Sequence, residues 1–326
     1  MAAQPKPNHL ESIRSARELI EPHIRQTPLI RSDWLSSVAR GEVYLKAENL
    51  QVTRSFKARG ALYKLRQLSK EGVKGPLLAV SAGNHGQGLA WAANIAGYQA
   101  TVIVPKTAPQ TKIDAIRRRG ANLRIEGKDY DEAEMLARKE AETRNITFVS
   151  PYNDLDVIHG QGTVALDILD GLPDADIILV PVGGGGLLAG VGLAVKKLNP
   201  QIKVIGVQAA NSAAMYESFR AGEIVNIVDD PTIADGVAGN IEAGSCTFPL
   251  IQSTTDDILT VTEAEIKKAI LSTLENEGML LEGAGAVGIA ALMSGKIAAE
   301  GKTVAVILTG GNIDFSKVSQ LISAEK

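Results

Sequence analysis

The chain has 326 residues, 45% apolar but only 4% aromatic, with a formal net charge of −3 at pH 7. That length suits two lobes, or one large lobe carrying an insertion, around an aliphatic, alanine-rich core. No dense basic stretch marks a nucleic-acid partner, no apolar run is long enough to span a membrane, and a single cysteine, Cys246, excludes an internal disulfide and a cysteine-built zinc cage. A lone cysteine fits a reducing compartment, and the polar start over 1–10 has no signal-peptide core, so a cytoplasmic protein is expected.

Leu10, Ile13, Ala16, Ile20 and Ile24 recur at three- and four-residue steps and predict one face of an amphipathic first helix. Pro28 follows in an extended stretch. A short strand over 42–47 leads to a polar turn at 51–55, and a helix starts near Phe56. A strand over 77–80 runs into a turn at 82–88 that opens a helix. Pro105 ends a strand over 101–104. Strands over 123–125 and 147–149 flank a charged helix at 131–144. The strongest strand signal is 177–182, with similar runs at 204–207 and 304–308. Thr262 and Glu265 have capping-box spacing and should begin a helix. Strands that alternate with helices, and are continuously apolar, predict a parallel sheet covered on both faces. No repeat, low-complexity tract or linker stands out, so the two lobes should pack closely.

Gly183, Gly184, Gly185, Gly186 and Leu187 come straight after the strongest strand and open a helix-like run. Four glycines let several backbone N–H groups converge, and a helix N-terminus adds its positive dipole end, which makes a phosphate cradle. The competing reading is a turn that merely packs close. Neither the P-loop nor the dinucleotide spacing is present, so a small phosphorylated cofactor fits better than ATP or NAD. Ser81, Ala82, Gly83, Asn84 and His85 form another strand-to-helix turn, able to hold a carboxylate and to offer an amide from Asn84; an ordinary Asn-bearing turn reads equally well. Lys57 sits at a helix start among Phe56, Ala58, Gly60 and Ala61. Most lysines are solvated surface groups. This one, if desolvated, would lose part of its preference for the charged form and become a nucleophilic amine, and Arg54, Arg59 and Lys64 would push the same way if close in space. Thr309 ends the last strand, where α/β sheets bind ligands. No metalloprotease or serine-hydrolase motif appears, and no carboxylate cluster has metal spacing.

In chain order, Thr27-Pro28-Leu29, Ser55-Phe56-Lys57-Ala58-Arg59-Gly60-Ala61, Ser81 through Gly88, Gly160-Gln161-Gly162-Thr163, the four-glycine loop, Ala234-Asp235-Gly236, Glu282-Gly283-Ala284-Gly285-Ala286 and Thr309 through Asp314 resemble the serine/threonine dehydratase (threonine ammonia-lyase) family of fold-type II pyridoxal-phosphate (PLP) enzymes, which includes serine racemase. The resemblance implies an α/β fold like that of the tryptophan synthase β chain. A twisted, mainly parallel sheet would lie in a large domain, 1–50 and 148–326, with a smaller α/β domain, 51–147, inserted in it. It implies that Lys57 holds the cofactor aldehyde and later moves the Cα proton, and that Phe56 packs on the ring. Asn84 would bond the phenolic oxygen, Thr309 the pyridine nitrogen, and Gly183, Gly184, Gly185, Gly186 and Leu187 the phosphate. Ser81, Ala82, Gly83, Asn84 and His85 would take the substrate carboxylate. The family's habit is a homodimer or homotetramer.

A hydroxyl rather than a carboxylate at the pyridine nitrogen favours rapid loss of a β-substituent over transamination. The expected reaction is therefore dehydration and deamination of a β-hydroxy amino acid such as L-threonine or L-serine. Racemases of the family carry serine where Ala82 stands, so racemisation should be slow or absent. The carboxylates of the metal-binding relatives are replaced by Gln208 and Ala214, so no metal is expected. The chain stops soon after Asn312, so feedback through a C-terminal regulatory domain is not expected. The segment 237–248 departs from the usual threonine dehydratases and looks more like the branch associated with hydroxyectoine use. That leaves 3-hydroxyaspartate, a phenylserine or a hydroxyectoine-derived compound as alternative substrates. A non-catalytic α/β protein binding a phosphate ligand is the remaining alternative.

Overall fold

A computed structural model describes residues 8–323. Its strands are β1 (Leu29–Arg31), β2 (Glu42–Lys46), β3 (Leu77–Val80), β4 (Ala100–Val104), β5 (Asn122–Ile125), β6 (Thr147–Phe148), β7 (Ile177–Pro181), β8 (Lys203–Ala209), β9 (Asp257–Val261) and β10 (Thr303–Ile307). They form two sheets, in the orders β1-β2-β10-β7-β8-β9 and β5-β4-β3-β6. Every pairing is parallel except β1 with β2.

The central strands have the apolar runs that two-sided burial demands: β3 and β7 are buried at every residue. Two strands escaped the sequence pattern. β1 is only three residues long, and β9 lies at a sheet edge, where three of its five residues are only half-buried. The first helix, His9–Ile20, buries Ile13, Ala16 and Ile20 as its spacing predicts. It stops short of Ile24 and tightens into a 3-10 turn containing Pro22, because proline cannot donate to the preceding turn. Thr262 and Glu265 form both capping-box hydrogen bonds at the start of helix Glu263–Glu277.

The lobes interlock. Ala16 and Ile20 of the first helix share one core with Leu62, Leu65, Leu77, Leu89 and Ala92 around the smaller sheet. Helix Lys57–Lys70 crosses helix Leu155–Gly171 at Gly60 and Gly160, where a Cβ on Gly160 would lie 2.6 Å from the Gly60 Cα. Only paired glycines allow that approach. In the smaller sheet Phe148 pairs with Leu78, so the sheet runs one residue past the expected boundary at 147.

Candidate active site

Three of the segments singled out above, and one that was not, leave the sheets just beyond the carboxyl ends of strands. Ser81 follows β3, Ser150 and Pro151 follow β6, Gly183 follows β7, and Thr309 follows β10. That edge is where parallel α/β sheets form ligand crevices.

Lys57 is the first residue of helix Lys57–Lys70, with Phe56 as N-cap. The Phe56 N–H donates to the Thr309 carbonyl at 3.1 Å, and Ser55 forms a β-bridge with Gly310. The helix start is thereby sewn to the loop after β10. Lys57 Nζ donates to the Pro151 carbonyl at 3.0 Å and lies 5.1 Å from the centroid of the Phe56 ring. Burial lowers its ammonium from 10.5 to about 8, and the Glu282 carboxylate partly opposes that fall. The neighbouring cations are not the cause. Arg59 is committed to Glu48 and Asp167, and Lys64 to Asp154 and Asp156, so carboxylates neutralise both. Arg54 is exposed.

The glycine loop is pressed into shape from behind. Gly185 has φ +92°, the left-handed region that favours glycine, and a Cβ on Gly184 would fall 2.4 Å from the Tyr152 ring. Thr247 Oγ1 donates to the Gly184 carbonyl at 2.8 Å. Helix Gly186–Leu198 begins here with no side-chain cap, so its leading N–H groups are free for an anion. Tyr152 adjoins Pro151, which places the loop's backing next to the acceptor of the Lys57 amine.

Helix Asn84–Ala96 likewise starts uncapped, and the Gly83 N–H is held by Ser81 Oγ at 3.1 Å. His85 is buried and donates Nε2–H to the Val149 carbonyl at 2.9 Å. Burial, with the Lys57 charge, holds its pKa down to about 3. Its imidazole is therefore neutral and structural, leaving the backbone of this turn to meet a ligand. Asn84 Nδ2 donates to Glu282 Oε1 at 2.5 Å, and Asn84 Oδ1 accepts from Asn312 Nδ2 at 2.7 Å. At the two positions matched to the metal-binding relatives' carboxylates, Gln208 Oε1 accepts the Tyr216 N–H at 3.0 Å, and Ala214 is buried.

Glu282, Asn312 and Tyr152 carried no role in the sequence reading. Glu282 had a detectable signal, since it is a charge directly before a wholly apolar helix, Gly283–Met293. Tyr152 and the Pro151 carbonyl had none, because their part depends on position alone.

The residues suit a phosphorylated aldehyde. Burial lowers one lysine's pKa to about 8, two helix starts present uncapped amides, and Ser55 Oγ is buried beside the Gly310 bridge with no hydrogen-bond partner among the described residues. Fold and site together define a pyridoxal-phosphate-dependent enzyme. Residues 20–310 match the pyridoxal-phosphate dependent enzyme family, and the chain belongs to it. It is 45% identical over 314 residues to an L-threonine ammonia-lyase of Thermotoga maritima, covering 96% of this chain and 78% of that one. It is 42% identical over 317 residues to the catabolic L-threonine dehydratase TdcB of Staphylococcus aureus, covering 96% and 91%. Among solved structures, maize serine racemase superposes with a TM-score of 0.90 at 30% identity, covering 97% of each chain.

Proposed function

We propose that this enzyme is an ammonia-lyase that eliminates water from a β-hydroxy amino acid such as L-threonine or L-serine and releases a 2-oxo acid and ammonia. The observation that carries the reading is the Lys57 amine, desolvated to a pKa of about 8 beside Phe56 and Thr309. The likeness to ammonia-lyases over 96% of the chain supports the same reaction. When bound, the cofactor supplies an electrophilic carbon and a ring that stabilises negative charge at the substrate Cα.

Lys57 would hold that carbon until the substrate amine displaces its own, and the freed Lys57 amine would then take the substrate's Cα proton. The Cα proton and the β-hydroxyl would together leave the substrate as water, and the unsaturated amine so formed would take up water to give the 2-oxo acid and ammonia. The uncapped amides of Gly186 and Leu187, with the turn at Gly183, Gly184 and Gly185, would hold the phosphate. Phe56 would cover one face of the ring, Asn84 would meet the phenolic oxygen, and Thr309, a neutral hydroxyl, would meet the pyridine nitrogen. The Ser81 to His85 turn receives the substrate carboxylate through its backbone. The two sheets support a large domain, 1–50 and 148–326, and a small domain, 51–147, with β6 spanning the junction. A cytoplasmic homodimer or homotetramer is the accompanying expectation, which sedimentation of the holoenzyme checks.

A second reading concerns the substrate side chain. Residues 237–248 are tied to the Lys57 environment: the Glu242 N–H donates to Tyr152 Oη at 3.0 Å, Asn153 Nδ2 donates to Glu242 Oε2 at 2.8 Å, and the Cys246 N–H donates to Asn153 Oδ1 at 2.9 Å. That coupling favours a departure in substrate over one in mechanism, towards 3-hydroxyaspartate, phenylserine or a hydroxyectoine-derived amino acid. The test is 2-oxo acid release from threonine, serine, 3-hydroxyaspartate and phenylserine beside Lys57→Ala. Threonine or serine turnover lost in the variant supports the first reading. Turnover of another substrate alone moves the reading to the second. No turnover with no visible cofactor band refutes both. Substantial D-serine formation from L-serine would instead point to a racemase despite Ala82.

A further inference from the structure

We propose that Glu282 is a positioning residue which locks the Asn84 amide so that one of its N–H groups faces the phenolic oxygen of the cofactor. The inference rests on the pyridoxal-phosphate reading of the site.

The hydrogen bonds fix the direction of the Asn84 side chain without ambiguity. The Thr53 carbonyl can only accept, so the Asn312 atom 2.9 Å from it is the nitrogen. The same nitrogen donates to Asn84 at 2.7 Å, which makes that end of the Asn84 amide the oxygen. The Asn84 nitrogen therefore faces Glu282 Oε1 at 2.5 Å. An amide nitrogen carries two N–H groups. Glu282 takes one, and the geometry of a planar amide then sets the direction of the other.

Glu282 is rigidly seated for this task. Its N–H donates to the Gly310 carbonyl at 3.2 Å, and its carboxyl lies so close to that loop that a Cβ on Gly310 would be 2.1 Å from Oε1. It stands at the N-cap of helix Gly283–Met293, yet its side chain makes no capping hydrogen bond, so helix capping does not account for it. It is buried and makes no salt bridge among the described residues. The charges around it are Asp235, which pairs with Lys112 and Lys317, and the Lys57 ammonium. Burial and Asp235 push its pKa up to about 7, while the Asn84 amide, Lys112 and the Asn312 N–H pull it down. An unpaired buried carboxylate is costly, and an apolar residue would serve stability better. What the side chain offers in either protonation state is a strong oxygen acceptor for Asn84.

The test is a double-mutant cycle in the holoenzyme between Glu282→Leu and Asn84→Ala, read by cofactor Kd, the position of the cofactor's visible absorption band, and Tm. Each single variant should weaken cofactor binding about tenfold and displace the band, as expected for a lost charge-assisted hydrogen bond. The double variant should be no worse than either single one, because both remove the same contact. Glu282→Gln keeps an oxygen acceptor and should stay within about threefold of the unaltered protein. Should the leucine variant not fold, Glu282→Met enters the cycle in its place. Additive losses in the double variant would overturn the proposal, as would an unmoved band with only a lower Tm. An unaltered protein with no visible cofactor band refutes the pyridoxal-phosphate reading itself, an outcome distinct from either.

Discussion

At neutral pH the cofactor-free protein holds a charged Lys57 in a site that favours the neutral amine. The fall from 10.5 to about 8 is worth about 3 kcal/mol at roughly 1.4 kcal/mol per pH unit. Below pH 8 the lysine is protonated in both folded and unfolded chains, so the whole cost is present. As pH rises from 8 to 10.5, the folded protein sheds the proton while the unfolded chain keeps it, and the cost disappears. Lys57→Met keeps the aliphatic stem and removes the charge. It also forfeits the hydrogen bond to the Pro151 carbonyl, worth about 1 kcal/mol. The methionine variant should therefore be more stable than the unaltered protein by about 2 kcal/mol at pH 7, which raises Tm by about 4 °C. The gap should close by pH 10. Thermal melts of both proteins, stripped of cofactor, at pH 7 and 10 make the comparison. A variant that is less stable at pH 7, or a gap unchanged at pH 10, would refute the claim that Lys57 is strained towards neutrality.

Three further outcomes follow from the packing. Gly184→Ala drives a methyl group into the Tyr152 ring, at about 1–3 kcal/mol, and should weaken cofactor binding at least tenfold; an unchanged titration would remove the loop from the phosphate site. Arg59→Met leaves Glu48, which is 0% exposed, with Lys46 at 4.0 Å as its one cation among the described residues and the Thr27 hydroxyl as a neutral donor. Urea unfolding should show a loss of about 3–5 kcal/mol, and a loss below about 1 kcal/mol would show the network to be dispensable. His159, paired with His9 at 3.0 Å, is held neutral, its pKa lowered from 6.5 to about 4 by burial and the His9 charge. The unfolded chain takes up this proton first, so stability should be lost as pH falls from 6.5 towards 4. His159→Gln should flatten the dependence of Tm on pH in that window, and an unaltered slope would exclude the pair as its source.

Much of the scaffold was legible along the chain, because burial on both faces leaves β3, β7 and β10 as unbroken apolar runs and because Thr262 and Glu265 satisfy each other locally. The glycine loop was legible for a related reason: only glycine tolerates either φ +92° with Ile251 and Met215 behind it, as at Gly185, or the Tyr152 ring behind it, as at Gly184. Lys57 stood out through its small, apolar neighbours, and burial does lower its pKa. The cations near it in sequence proved to be neutralised by Glu48, Asp154, Asp156 and Asp167, three of which lie about a hundred residues away. Spacing could not reveal that, since electrostatics depends on distance in space.

Composition and local pattern thus determine the parallel α/β layers, the uncapped glycine-rich helix start and the desolvated lysine, each of which depends on residues within one turn or strand. The Pro151 acceptor, the Tyr152 backing and the chain from Thr53 through Asn312 and Asn84 to Glu282 were decided only in the tertiary structure. Hydrogen bonds and close contacts join groups from separate strand ends, and no local periodicity records which ends will meet.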